Sequence, residues 1–189
     1  MTDDLTGAAD SAARCLPSGL RSRVSIGGDA SAWYDVEAFD PDTRHLPPAM
    51  AGEIVAGVVE HCLRMGAVEV YKKVDSVLRG NVGAELEAAM RAAGAELVLL
   101  CPAFPEQGRT VVEGHLLVND TPVTATSLGR EVGASSYVPE ILGAQTSLPV
   151  GLLGLRSVRS GHEVIVQELE ALRRSGARIV VADACSGED

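Results

Sequence analysis

Two short runs of uninterrupted apolar residues, 96–101 (ELVLLC) and 178–182 (RIVVA), constrain the fold more than any other feature of the chain. Neither alternates polar with apolar residues, so neither suits a strand with one wet face. Both read as strands buried between layers of helices, the pattern of a parallel sheet. Aromatic residues are only 3% of the 189, which leaves Val, Leu, Ile and Ala to fill such a core. Residues 6–16 (TGAADSAARCL) are helix-compatible, with Gly19 as a stop. Pro47 and Pro48 mark the start of a second helix, whose face of Met50, Ile54, Val55, Val58, Val59, Cys62 and Leu63 runs to Gly66. Val82, Leu86, Ala89, Met90 and Ala93 repeat at the spacing of a third. Ser160 and Glu163 (SGHE) form a capping box ahead of a fourth, with Val164, Ile165, Leu169 and Leu172 inward. Further strands are expected at 21–26, 32–39, 68–74 and 149–155. Strands alternating with helices imply right-handed crossovers. The expected fold is therefore α/β, a doubly wound, mostly parallel sheet with helices on both faces. Residues 102–149 interrupt the pattern with many turn formers. They read as a long excursion holding a hairpin, and loops of that length inside a domain are usually functional.

The chain is long enough to bury a core as one domain or one large piece of a domain. Its formal net charge of −10 argues against nucleic acid or an anionic membrane as a partner, because either selects a basic face. No apolar run approaches the ~20 residues of a membrane span. Met1 is followed by Asp3 and Asp4 rather than by a basic leader, so a cytoplasmic protein is expected. Cys15, Cys62, Cys101 and Cys185 are scattered without a CxxC pair and read as buried thiols in a reducing compartment. His45, His61, His115 and His162 are equally dispersed, so no metal site is expected.

Chemistry concentrates in residues 71–85 (YKKVDSVLRGNVGAE), at the junction of an expected strand and helix. Ligands of doubly wound sheets lie beyond the carboxyl ends of the strands. Asn81 suits an N-cap, and Gly80 lets the backbone approach a ligand closely. The amides beyond it and the helix dipole favour an anion. Arg79 offers a planar fork for two oxygens of a carboxylate or phosphate. Asp75, beside Lys73 and Arg79, is expected to stay ionised and to accept hydrogen bonds from sugar hydroxyls or a proton from one. Strand alternation puts Lys72 opposite Lys73, toward solvent. The acidic pairs within 40–44 suit a turn better than a metal site. Asp3 and Asp4 precede a helix, where charge complementing the dipole contributes ~0.3 to 1 kcal/mol.

Three blocks stand together: DDLTGAAD at 3–10, KKVDSVLRGNVGAEL at 72–86 and CPAFPEQGRTVVEGHLLVNDTPV at 101–123. In this order and spacing they resemble the N-terminal, substrate-binding domain of the four-carbon acid sugar kinases. FDPDTRHL at 39–46 and VVADA at 180–184 extend the resemblance over essentially the whole chain. It implies transfer of the terminal phosphoryl group of ATP, with Mg2+, to the 4-hydroxyl of a tetronate such as threonate, erythronate or a 3-oxo-tetronate. Asp75 or Asp4 would orient that hydroxyl and accept its proton. Arg79 with the Gly80 and Asn81 amides would clamp the carboxylate, with Asp3 and Ser76 as further substrate contacts. Gly108 and Arg109 offer a second anion contact, for the substrate carboxylate or the transferring phosphate, and Lys73 suits either role.

The chain departs from the family pattern in three ways. Relatives carry an apolar strand immediately before DDLTG, and this chain begins at Met1-Thr2, so the first strand of the sheet is expected to be missing. Val77 stands where most relatives have Thr. The family continues into a second domain that supplies most of the nucleotide site, and no GxxxxGK[ST] sequence occurs here. The expectation is a sugar-acid-binding N-terminal domain over 1–189, completed by a separate nucleotide-binding domain or chain. The alternative is a non-catalytic sugar-acid-binding module or truncated remnant.

Overall fold

The computed structural model describes residues 1–26 and 34–189, so the start of the strand expected at 32–39 lies outside the described residues. Two compact units are present. The first comprises Met1–Asp75 and Gly80–Ala95, the second Ser76–Arg79 and Glu96–Asp189.

In the first unit, helix α1 (Leu5–Cys15) is followed by strands β1 (Ser22–Ser25) and β2 (Val36–Phe39) and by helices α2 (Pro48–Arg64) and α3 (Val82–Ala93). The two strands are parallel, in register from Ser22 with Val36 to Ser25 with Phe39. Small residues let α1 lie close on them: Ala8 and Ala12 bury against Ala38, with Val24 alongside. Helix α2 opens on Pro48 at its first position, where no amide partner is needed. Val55 and Val59 of α2 pack with Ala89 of α3 in a second cluster. Each fully buried valine contributes roughly 1.5 to 3 kcal/mol relative to exposure. The apolar face of α2 is narrower than its sequence suggests, since Met50 and Leu63 lie exposed.

Residues 68–74 do not form the expected strand. They lie beside Met1, whose ammonium bonds the Tyr71 carbonyl and whose carbonyl accepts from the Lys73 amide, while the Thr2 amide bonds the Phe39 carbonyl. Met1 and Thr2 thus stand between Phe39 and Lys73, where a strand preceding DDLTG would lie. Two residues alongside do not make a ladder, and Val68 is fully exposed.

The second unit begins its regular structure with β3 (Val98–Leu100). The excursion follows, with strands β4 (Arg109–Val112), β5 (His115–Val118) and β6 (Thr121–Pro122) and helices α4 (Gly129–Val132) and α5 (Val138–Gly143). Strand β7 (Val150–Leu153), helices α6 (Leu155–Val158) and α7 (His162–Arg174) and strand β8 (Ile179–Ala182) complete it. Strands β3, β8 and β7 form a parallel sheet in that order, and β4, β5 and β6 an antiparallel one. The two apolar runs differ in placement. β8 is central and all four of its residues are buried, whereas β3 is an edge strand that leaves Leu99 half exposed. The α/β class and mostly parallel pairing hold, with the parallel strands divided between a two-stranded and a three-stranded sheet rather than joined in one.

Ile165, Leu169 and Leu172 of α7 cover the cluster of Leu153, Ala177, Val180 and Ala182. The expected capping box is not formed. The N-cap of α7 is Gly161, and the Ser160 hydroxyl donates instead to the Arg156 carbonyl, closing the preceding turn of helix. Just past β8, Asp183 is almost fully buried. Its carboxylate accepts from the amides of Glu113 and Gly114, in the β4–β5 turn, and of Leu155, at the start of α6. One side chain thereby ties three segments together. All four cysteines are free, but the expectation that they are buried is corrected: Cys101 falls just past the edge strand and is exposed, and the others are partly so.

Candidate functional site

Residues 40–46 form a tight turn. Asp40 Oδ1 accepts from the Asp42 amide, Asp42 takes a positive φ of 50°, and the Leu46 amide bonds the Thr43 carbonyl. The turn is held from α3 as well, because Asn81 Nδ2 donates to the carbonyls of Thr43 and Leu46. Gly80, with a φ of 85°, packs so closely that a Cβ there would lie 3.3 Å from Arg44 Cγ. This packing fixes Arg44.

Each nitrogen of the Arg44 guanidinium faces a different carboxylate. Nε lies 2.8 Å from Asp3 Oδ2, Nη1 2.6 Å from Asp4 Oδ2 and Nη2 3.7 Å from Asp75 Oδ2. Burial alone would push the guanidinium pKa down. The hydrogen bond to Asp3 and the fields of Asp3, Asp4 and Asp75 outweigh it, and the net shift is upward. Asp4 has a second task as the N-cap of α1, its Oδ1 accepting from the Gly7 amide at 2.7 Å. Gly7 makes that bond possible, since a Cβ there would stand 2.8 Å from Asp4 Oδ1 and 3.7 Å from Lys73 Cγ. The Lys73 ammonium donates to the Val74 carbonyl at 2.7 Å.

The first unit therefore brings Asp3, Asp4 and Asp75 together on Arg44, with the Lys73 stem near the start of α1. Arg44 was not singled out from the sequence. The signal available was its place in FDPDTRHL, where an Asp-Pro-Asp-Thr turn presents the next side chain at a fixed angle. Two expectations are corrected. Asn81 occupies the N-cap position of α3 but makes no side-chain cap, its amide being spent on the 40–46 turn. Lys72 does not face solvent: its ammonium lies 2.7 Å from Glu85 Oε2 in the first turn of α3, both side chains being nearly buried. Oε1 of Glu85 and the hydroxyl of Thr43 are buried with no hydrogen-bond partner among the described residues.

The other expected residues belong to the second unit. Ser76 is half-buried, and Arg79 pairs with Glu131 of α4 at 3.9 Å. Leu78 between them is buried at a φ of 62°, a strained conformation for a bulky side chain. Gly108, at a φ of 68°, serves the chain itself, because a Cβ there would meet Asn119 Oδ1 at 2.0 Å. Arg109 opens β4. Its Nη1 donates to the Gln107 carbonyl, and its Nε is buried with no partner among the described residues. Among the described residues no group of three or more His, Cys, Asp or Glu is placed to hold a metal ion. No helix among them is long and apolar enough to cross a membrane.

Fold and side chains together define an α/β protein with a guanidinium-centred carboxylate group beside the start of its first helix. The chain belongs to the family described as the sugar-binding N-terminal domain, whose model matches residues 1–189. It is 39% identical over 186 residues to a D-threonate kinase of Bordetella bronchiseptica, a match covering 90% of this chain and 46% of that protein. It is 34% identical over 212 residues to a 3-oxo-tetronate kinase of Pseudomonas fluorescens, covering 100% of this chain and 47% of that one. A crystal structure of a Bordetella bronchiseptica domain of unknown function, a domain-swapped dimer with bound citrate, is similar at a TM-score of 0.80 and 34% identity. That match covers 98% of this chain and 46% of the other. The chain spans about half the length of the curated relatives it matches.

Proposed function

We propose that this chain is the substrate-binding part of an ATP-dependent kinase acting on the 4-hydroxyl of a four-carbon sugar acid: threonate, erythronate or a 3-oxo-tetronate. The observation that carries the proposal is the convergence of Asp3, Asp4 and Asp75 on Arg44. It is supported by the names of the kinase relatives and by the citrate, a small hydroxy acid, in the related structure. Phosphoryl transfer asks a protein mainly to align the acceptor hydroxyl and to compensate charge. Asp4 or Asp75 would accept the hydrogen bond from that hydroxyl and take its proton. Asp3 would hold Arg44 in place. Lys73, Ser76, Arg79, Gly80, Asn81, Gly108 and Arg109 are assigned to substrate contacts by their place in the motifs.

ATP and Mg2+ fit this part of the protein poorly. The acidic residues are drawn onto Arg44 rather than toward a shared metal position, and no phosphate-cradling GxxxxGK[ST] loop is present. We assign nucleotide and metal contacts to a separate nucleotide-binding domain or chain. A small hydroxylated acid as substrate suits a cytoplasmic protein.

The test is calorimetric titration of this chain with D-threonate, D-erythronate and a 3-oxo-tetronate, followed by mixing with a nucleotide-binding half and ATP. Binding of one acid and its phosphorylation in the mixture is the expected result. Binding without phosphorylation in the mixture would favour a non-catalytic module.

A further inference from the structure

We infer that the group centred on Arg44 is the hydroxyl end of the site and discriminates against a carboxylate there, so that four-carbon monoacids are preferred over four-carbon diacids. The inference rests on the sugar-acid reading above and goes beyond it by naming what this part of the site rejects.

Arg44 would be the natural clamp for a ligand carboxylate, but each of its three nitrogens already faces an aspartate. One guanidinium against three carboxylates leaves surplus negative charge. Counting Lys73, whose ammonium is directed at the Val74 carbonyl, does not remove the surplus. Lys72 adds nothing, because it is paired with Glu85. A second carboxylate brought here would meet like charges in a partly buried setting, where screening is weak. A hydroxyl meets acceptors instead. Of the three aspartates, Asp4 is the most open, its side chain being 29% exposed against 5% for Asp3 and 10% for Asp75. Its Oδ1 accepts one hydrogen bond, from the Gly7 amide, its Oδ2 is paired with Arg44, and each keeps acceptor capacity for a ligand hydroxyl. The arrangement fixes the direction of the ligand: carboxylate away from Arg44, terminal CH2OH toward Asp4.

D-Threonate and the tartrate of matching configuration differ only in that terminal group, CH2OH in one and carboxylate in the other. Titration of the unaltered chain should give tartrate at least tenfold weaker than threonate. Asp4→Asn should narrow the gap by raising tartrate affinity, a gain that loss of structure cannot produce, and Asp75→Asn provides the same readout should Asp4→Asn unfold. Tartrate binding as tightly as threonate would overturn the inference while leaving the sugar-acid reading intact. A gap unchanged in both variants would remove the carboxylate group as its cause and overturn it too. Binding of neither ligand would overturn the reading and the inference together.

Discussion

The ammonium of Lys72 lies 2.7 Å from Oε2 of Glu85, and both side chains are nearly inaccessible to water. An ion pair so buried contributes little net stability, yet breaking it strands a charge. Lys72→Met or Glu85→Gln alone is therefore expected to destabilise the first unit by about 3 to 5 kcal/mol. The double change Lys72→Met with Glu85→Leu should recover most of that loss. Urea denaturation of the three variants checks it, and equal losses for single and double variants would show that the pair stabilises outright.

In the second unit the corresponding single point of failure is Asp183. Three backbone amides from two separate segments end on its carboxylate at 2.9 to 3.2 Å. Asparagine keeps the shape but removes the charge and turns an NH2 toward donors. A hydrogen bond to a charged group contributes about 1.5 to 3 kcal/mol, so Asp183→Asn is expected to cost about 3 kcal/mol or more. Hydrogen exchange at Gly114 and Leu155 should accelerate in the same variant. Unchanged exchange there would mean that the β4–β5 turn is held by its ladder alone.

What could be read from the sequence follows the length scale of each interaction. The helices were legible because their apolar spacing and their Pro and Gly boundaries are local: α2 begins at Pro48, and the chain beyond it turns at Gly66 with a φ of 91°. The parallel pairing of β3 and β8 followed from their apolar runs, but nothing in ELVLLC marks it as the edge strand that exposes Leu99. Residues 68–74 carried strand composition, yet the bonds that Tyr71 and Lys73 make with Met1 do not extend into a ladder. The same limit applied to the site. Asp75 was expected beside Lys73 and Arg79, and Asp4 at the start of a helix. The cation the structure provides is Arg44, more than thirty residues from either, because the 40–46 turn is fixed by Asn81 and Gly80 from another helix. Alternation also misdirected Lys72, since the inward face at that point is decided by Glu85.

Helix α7 offers a pH signature. Hydrogen bonds from Arg173, and then the charges of Arg173 and Arg174, pull the Glu170 carboxyl down to about 2 from its ordinary 4.5. A folded value below the unfolded one means stability that is complete above about pH 4.5 and is lost as the pH falls toward 2. Melting temperatures of the unaltered chain and of Glu170→Gln should differ by a constant amount above pH 5 or so and converge below it. Because the group is exposed, added salt should shrink the difference. A difference independent of both pH and salt would assign the effect to helix propensity.

Arg79 should report on ligand binding more than on stability. Its pair with Glu131, which is mostly exposed and 3.9 Å away, is of the kind that contributes about 0 to 1 kcal/mol. A charge-assisted contact to a ligand carboxylate is stronger, so Arg79→Ala is expected to weaken D-threonate binding by roughly 2 kcal/mol. Glu131→Gln should leave it unchanged. Titration of both variants checks this, and an unaltered affinity in Arg79→Ala would remove the residue from the substrate contacts.

Arg44 should differ from Arg79 in both respects. Its removal leaves Asp3 and Asp75, each largely buried, without the cation that faces them, and leaves Asp4 with its helix cap alone. Stranding buried carboxylates costs more than losing a surface pair, so Arg44→Ala is expected to lower stability by about 3 to 5 kcal/mol. Lysine restores the charge but not the planar fork, and one ammonium cannot reach three oxygens in three directions. Arg44→Lys should therefore recover part of the stability yet bind sugar acid more weakly than the unaltered chain, because Asp4 and Asp75 would no longer be held in register. Combined thermal unfolding and titration separates the two effects. Full recovery of binding by lysine would show that Arg44 acts through its charge alone and not by aligning the carboxylates.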